Sequence, residues 1–309
     1  MKASMINRLT ILLLITMAYT FVPQKVEASE WDSTTVEAMA QRAEETVQRA
    51  FKVLWDFKLE FDLADTVRDP DHTGVIGMEY SSVTTTIGYE YAKELSTKPG
   101  WAGWLVRELT KHEIWKGADV AISMSGSFPA LNIAVLAALQ ELDADVSCIS
   151  SVGASSYGAN EPGFSWPEIE RLLSEERVLK VGSSAVTLGG TGDRGREWSD
   201  YGQDIAMRSV KQSLLPLIKP TSLRDAIRKR IRLYGNPQDY FCYINIGGGQ
   251  ASLGGGARMR FDRGGWYFEP LPNKGEPNGV MDRFLDDGVP CLNLLFLDDL
   301  DKREGITAR

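Results

Sequence analysis

The sequence predicts an α/β protein: a mostly parallel sheet with helices on both faces, three layers in all, preceded by an N-terminal amphipathic helix. Three observations predict it. From Ala118 onward an apolar strand, a Gly/Ser-rich turn and a helix succeed one another several times. Upstream, Val36, Met39, Ala40, Ala43, Val47, Ala50, Phe51 and Leu54 recur at three- and four-residue spacing between charged and polar residues, which is the pattern of an amphipathic helix. Finally, 309 residues that are 43% hydrophobic and 25% charged are enough to bury a core.

The elements follow in order. Lys2 and Arg8 precede an apolar run from Leu9 to Val22, and Val26-Glu27-Ala28 supplies small-residue cleavage chemistry. The run is shorter than the roughly 18 to 20 apolar residues of a comfortable span, so residues 1–28 read as a signal peptide or, uncleaved, as a membrane anchor. Either reading puts the body outside the cytoplasm, secreted or tethered to the membrane. Residues 29–309 are expected to form one α/β domain, with two lobes, 29–117 and 118–309, as the alternative division. Asp62 to Gly77 is polar and loop-like, Ser81 to Thr86 is rich in hydroxyl and β-branched residues, and a helix is expected from Trp101 to Trp115.

Strands are then expected at Asp119–Met124, Val146–Ser150, Ser184–Leu188 and Tyr240–Ile246. The helices between them are expected at Ala130–Leu142, Pro167–Glu176, Asp200–Leu217 and Leu223–Leu233. Cys148, Cys242 and Cys291 each sit in a strand-like apolar run; three widely spaced cysteines without a CxxC give no disulfide framework, zinc site or redox pair. The net charge is −8, and loss of residues 1–28 would leave the body two charges more acidic. That excludes a general nucleic-acid binder, which needs a cationic surface to release counterions from phosphate. No cofactor is expected.

In a parallel sheet ligands bind beyond the carboxyl ends of the strands, where the Gly/Ser turns gather. This nominates Ser125, Gly126, Ser127 and Asn132 after the first strand, Ser155 and Ser156 after the second, Gly192 and Arg194 after the third, and Gly248, Gly249 and Gln250 after the fourth. Two hydroxyls and a glycine at a helix N-terminus offer N–H and O–H donors to an anion, although Ser127 could simply cap the helix. Gly190 to Gly195 matches Gly-x-Gly-x-x-Gly, but the expected second strand and ribose-binding acid about 20 residues on are missing, and Arg196-Glu197 stands where a P-loop has Lys-Ser/Thr. It remains an anion-binding turn or a plain surface loop.

A catalytic reading would use Ser125 or Ser127 with a base, and only His72 and His112 exist; His72, in a loop, is the one free to reach. The Gly-x-Ser-x-Gly elbow of α/β-hydrolases is not matched. Asp69, Asp71, Thr73 and Gly74 follow the opening half of a calcium loop, but the closing Glu position falls on Tyr80, with Glu79 one place early. Half-matches of this kind are mostly Asx turns, so no metal is expected. Arg224, Arg228 and Arg232 make one helical stripe with Lys229 and Arg230 beside it and Leu223, Ile227 and Ile231 on the opposite face, which reads as a surface for a polyanion or lipid headgroups or, more commonly, as a solvated outer face paired with nearby acids.

Four segments carry a resemblance. They are Thr73-Gly74-Val75-Ile76-Gly77 with Thr84-Thr85-Thr86, then Ser125-Gly126-Ser127-Phe128-Pro129-Ala130-Leu131-Asn132, then Ser151-Val152-Gly153-Ala154-Ser155-Ser156-Tyr157-Gly158-Ala159-Asn160, and Gly247-Gly248-Gly249. On these the chain resembles the poly-gamma-glutamate system proteins, a family whose genes accompany the ligase and membrane subunits that make and export this polymer. The resemblance implies an exported accessory component of polymer synthesis or export. Its partners would be poly-gamma-glutamate or glutamyl oligomers, held by one or two carboxylates, and membrane subunits of the synthase. The alternatives are a hydrolase or transferase acting on gamma-glutamyl linkages through a serine, and a scaffold for the membrane subunits.

Overall fold

The apolar stripe near the N-terminus becomes helix α1 (Ser33–Glu60), which buries Ala40, Ala43, Val47, Ala50, Phe51, Leu54 and Trp55 and exposes the charged residues between them. The computed structural model describes residues 32–256, 260–272 and 276–308. The signal or anchor reading of residues 1–28 lies outside the described residues. Among the described residues no helix is long and apolar enough to cross a membrane. A polar loop after α1 leads to a short strand, β1 (Thr84–Thr86), and two helices, α2 (Glu90–Ser96) and α3 (Gly100–Lys111). Helix α3 stops short of the expected Trp115, because His112 leaves helical geometry and Glu113 turns left-handed at φ 60°.

The main sheet begins with β2 (Asp119–Met124), buried on both faces except at Asp119. It lies parallel to β3 (Asp145–Ser151) on one side and to β8 (Cys242–Ile246) on the other. Beyond β3 comes β7 (Ala185–Thr187), and beyond β8 comes β10 (Cys291–Leu294), both parallel to their neighbours. An antiparallel strand, β9 (Gly265–Tyr267), closes the β10 edge. The order is therefore β7-β3-β2-β8-β10-β9, in which the chain winds one way from β2 and then returns to start the other half at β8. The winding reverses between β2 and β8, and doubly wound sheets bind ligands at such a point.

Alternation sorts the strand residues between the two helical layers. Ala121, Tyr243, Cys291 and Tyr267 lie side by side in register and face a cluster with Ala226, Ile227 and Tyr234 of α7 (Leu223–Tyr234) and Val280, Met281 and Phe284 of α8 (Val280–Asp286). On the other side α4 (Pro129–Glu141) packs with α1 and α3, and every α4 residue from Pro129 to Leu139 is buried. Proline at its first turn fits there, since that N–H has no intrahelical partner. Helix α5 (Trp166–Glu175) begins with a Ser165/Glu168 capping box. Helix α6 (Asp200–Ser213) ends four residues before the expected Leu217. Leu214 turns left-handed there and Pro216 cannot continue the helix, so Pro216–Ile218 pairs instead with Val186 of β7.

A two-stranded parallel sheet joins β1 to β4 (Ala154–Ser155), and a small antiparallel pair joins β5 (Asn160–Glu161) to β6 (Phe164–Ser165). The described residues from Ser33 onward form one compact unit. All three cysteines are buried and free.

Candidate functional site

The turn after β2 is built by short-range hydrogen bonds. Ser125 N–H extends the strand ladder to the Ile246 carbonyl (3.2 Å), and Ser125 Oγ then accepts the Ser127 amide at 2.9 Å, which folds the chain back toward α4. Ser127 does not cap α4. The N-cap is Phe128, and Ser127 Oγ instead accepts the Ser155 amide from β4 at 3.0 Å. Asn132, fully buried in α4, fixes the turn from below by donating Nδ2 to the Ser125 carbonyl at 3.0 Å. Its Oδ1 is buried with no hydrogen-bond partner.

Backbone packs closely here, with little room for a side chain at two glycines. A Cβ on Gly126 would stand 3.0 Å from the Val152 carbonyl oxygen, and one on Gly158 2.9 Å from the Ser127 Cα. The Thr73–Gly77, Ser125–Asn132 and Ser151–Asn160 segments meet in this region. The Gly77 amide donates to Tyr157, and Asn160 Oδ1 accepts the Met78 amide.

Into this cluster comes a residue the sequence reading did not single out. Lys93, from α2, is only 3% exposed. Its Nζ lies 3.0 Å from Ser155 Oγ, donates to the Ser127 carbonyl, and sits 3.6 Å from the centroid of the Phe128 ring. Burial pushes the Lys93 ammonium down to about 7. Glu90-Tyr91-Ala92-Lys93-Glu94 reads as an ordinary solvated stretch, so no local signal marks the lysine. A strap, Ile87-Gly88-Tyr89, runs over the pair: a Cβ on Gly88 would lie 2.9 Å from Ser155 Oγ. The Ile87 and Tyr89 side chains point into solvent.

The β8 turn abuts the β2 turn. Gly247, at φ 84°, leaves space for Ser125, whose Oγ a Cβ there would meet at 3.1 Å. Gly248 and Gly249 border open space, and Gln250 Oε1 accepts the Gly192 amide at 2.9 Å. The Gly190–Gly195 turn is thereby occupied by the protein's own acceptors, because Glu197 also takes the Thr191 amide at 2.9 Å. Arg194 donates to the Thr221 carbonyl at 2.8 Å. The β2 turn thus touches the β8 turn at Gly247, Gln250 ties the β8 turn to the Gly190–Gly195 turn, and Lys93 joins Ser155 Oγ to the Ser127 carbonyl.

Other expectations are corrected. His72 does not approach Ser125 or Ser127; its ring stacks on Trp55 at 4.4 Å. His112 lies beside Glu108 and against the Trp266 ring, beyond the opposite end of β2. Asp69 closes an Asx-type turn, accepting the Thr73 amide and hydroxyl and the Gly74 amide, while Asp71 pairs with Lys98. Glu79 is exposed, and no described group of three or more His, Cys, Asp or Glu side chains is placed to hold a metal ion.

On α7 the basic face is less uniform than its sequence. Arg224 reaches Glu276, and Arg228 and Lys229 both reach Asp225. Arg230 points inward. It binds Asp193 at 2.8 Å and donates to Ser123 and Thr187 beneath the sheet's carboxyl edge. Although burial opposes its charge, Asp193 holds the guanidinium above its ordinary value.

Fold and site define a doubly wound α/β protein with a hydroxyl- and amine-lined cluster at the point where its winding reverses. Comparison with known protein families, characterised proteins and solved structures finds no match for the chain.

Proposed function

We propose that the protein is an exported accessory component of poly-gamma-glutamate synthesis or export that binds one or two polymer carboxylates at the carboxyl edge of its sheet. The observation that carries this reading is the Ser125–Ser127 turn. It stands at the N-terminus of a long buried helix, beside the open Gly248-Gly249 backbone, with the Lys93 ammonium behind it. Helix N-termini and hydroxyls favour carboxylates. The net charge of −8 opposes a long polyanion, so the reading is of a chain end or short segment rather than an extended track.

Titration calorimetry of the protein with tri- and tetra-gamma-glutamate at low and moderate salt tests it. The expected result is salt-sensitive binding that weakens about tenfold in Ser127→Ala, the loss of roughly one hydrogen bond to a charged group. Absence of heat at both salt concentrations would remove carboxylate binding and leave the scaffold reading. A specific feature favours that second reading: Tyr80, Ile87, Tyr89 and Tyr91 are all more than half exposed along residues 80–91.

A further inference from the structure

We propose that Lys93 and Ser155 form a serine–lysine pair that transfers acyl groups, with Ser155 Oγ as the nucleophile and Lys93 Nζ as its base. The geometry carries the inference. A neutral amine has two N–H donors and one lone pair, and Lys93 Nζ has three neighbours that match them. The ammonium donates to the Ser127 carbonyl and to Ser155 Oγ at 3.0 Å and lies over the Phe128 ring face; once it loses a proton, the carbonyl and the ring face keep the two remaining hydrogens and the Ser155 hydroxyl turns to donate to the lone pair. None of the described carboxylates forms an ion pair with Lys93 to hold a proton on it. Burial lowers its affinity for the proton further, so a large fraction is neutral at neutral pH.

The placement agrees with this role. Ser155 follows the carboxyl end of β3, on the edge of the sheet where doubly wound proteins do their chemistry. Serine–lysine pairs are an established variant of the serine nucleophile, and they need no histidine. His72, the base expected from sequence, is stacked on Trp55, whereas Lys93 is already within hydrogen-bond reach of a serine.

The substrate class is an ester or amide. As Ser155 Oγ adds to the carbonyl carbon, its proton passes to Lys93. The resulting ammonium protonates the leaving alcohol or amine as the C–O or C–N bond breaks, leaving an acyl ester on Ser155. Lys93, neutral again, takes a proton from water as that oxygen attacks the ester. Collapse of the adduct returns the proton to Ser155 Oγ and releases the acid. Only water is consumed. The strap at Ile87-Gly88-Tyr89 must lift for substrate to enter, a motion of the kind that gates many enzymes.

Lys93 would make the same contacts if it merely tied α2 to the β2 turn, and the test separates the two roles. The full chain is incubated with a fluorophosphonate and, separately, with p-nitrophenyl acetate between pH 5.5 and pH 9, and adducts are read by intact mass and peptide mapping. The expected result is a single adduct on Ser155, formed faster as pH rises with a midpoint near the Lys93 value of about 7. Labelling should fall about a hundredfold or more in Lys93→Arg and in Ser155→Ala. Urea unfolding confirms that each variant is folded, and Lys93→Met replaces Lys93→Arg if the guanidinium prevents folding. No Ser155 adduct at any pH, or one whose rate ignores the Lys93 substitution, would overturn the proposal. The outcome is independent of the polymer reading: oligomer binding without a Ser155 adduct leaves a binding protein only, and an adduct without oligomer binding leaves an acyl-transfer enzyme for another substrate.

Discussion

Two buried cations stand at the carboxyl edge of one sheet, and they are handled in opposite ways. Arg230 and Lys93 are each 3% exposed. Arg230 has a carboxylate: Asp193 meets its fork at 2.8 and 3.1 Å, and Ser123 and Thr187 take further donors. Lys93 has a carbonyl, a hydroxyl and an aromatic face, but no described carboxylate. A compensated charge stays charged and binds elements together, whereas an uncompensated amine is free to lose its proton near neutrality. The first arrangement is architecture. The second keeps a titrating group against the Ser155 hydroxyl and the Ser127 carbonyl, and perturbed groups of this kind gather where proteins do chemistry.

Breaking the compensated side should have the largest effect. Asp193→Asn leaves Arg230 charged and unpaired in the interior, for an expected loss of about 3–5 kcal/mol in urea unfolding. Asp193 has a φ of 64°, which asparagine also tolerates, so the loss reports the charge rather than backbone strain.

Lys93→Met sharpens the other side through its pH dependence. The folded value, about 7, lies below the ordinary value of 10.5. Between the two the unfolded chain binds more protons than the folded one, so this group makes stability rise with pH across that window. Subtracting the variant's unfolding free energies from those of the parent should give a difference that grows by roughly 1 kcal/mol per pH unit from pH 7 to pH 9.5. A flat difference would mean that Lys93 stays protonated when folded. The smallest effect is expected at Arg224→Ala, whose pair with Glu276 is exposed at both ends; a change within about 0.5 kcal/mol in the same assay would confirm that the outer face of α7 contributes little.

Much of the frame was legible in the sequence. Strand β2 has the bounds its apolar run implies, and α4, α5 and α7 begin within a residue of their expected starts. Local patterns suffice for these because a strand covered on both sides must be apolar and a covering helix must carry a stripe. Strand β9 escaped notice: three residues, Gly265–Tyr267, are too few for any period to show. Arg230 was assigned to a solvated face because four of its neighbours on α7 are basic too, and nothing local distinguishes the one that finds Asp193 across 37 positions.

The sequence by itself determined the layer class, the alternation of strands and helices between Asp119 and Ile246, and the Gly/Ser turns that follow those strands. These follow from the spacing of apolar residues and the conformational demands of glycine, which act over a few residues at a time. Only the tertiary structure decided which polar groups meet. It turned Arg230 inward to Asp193, stacked His72 away on Trp55, and brought Lys93 from a short helix to a serine 62 positions later. The ionisation of a buried amine depends on what surrounds it in space, and chain position carries no record of that.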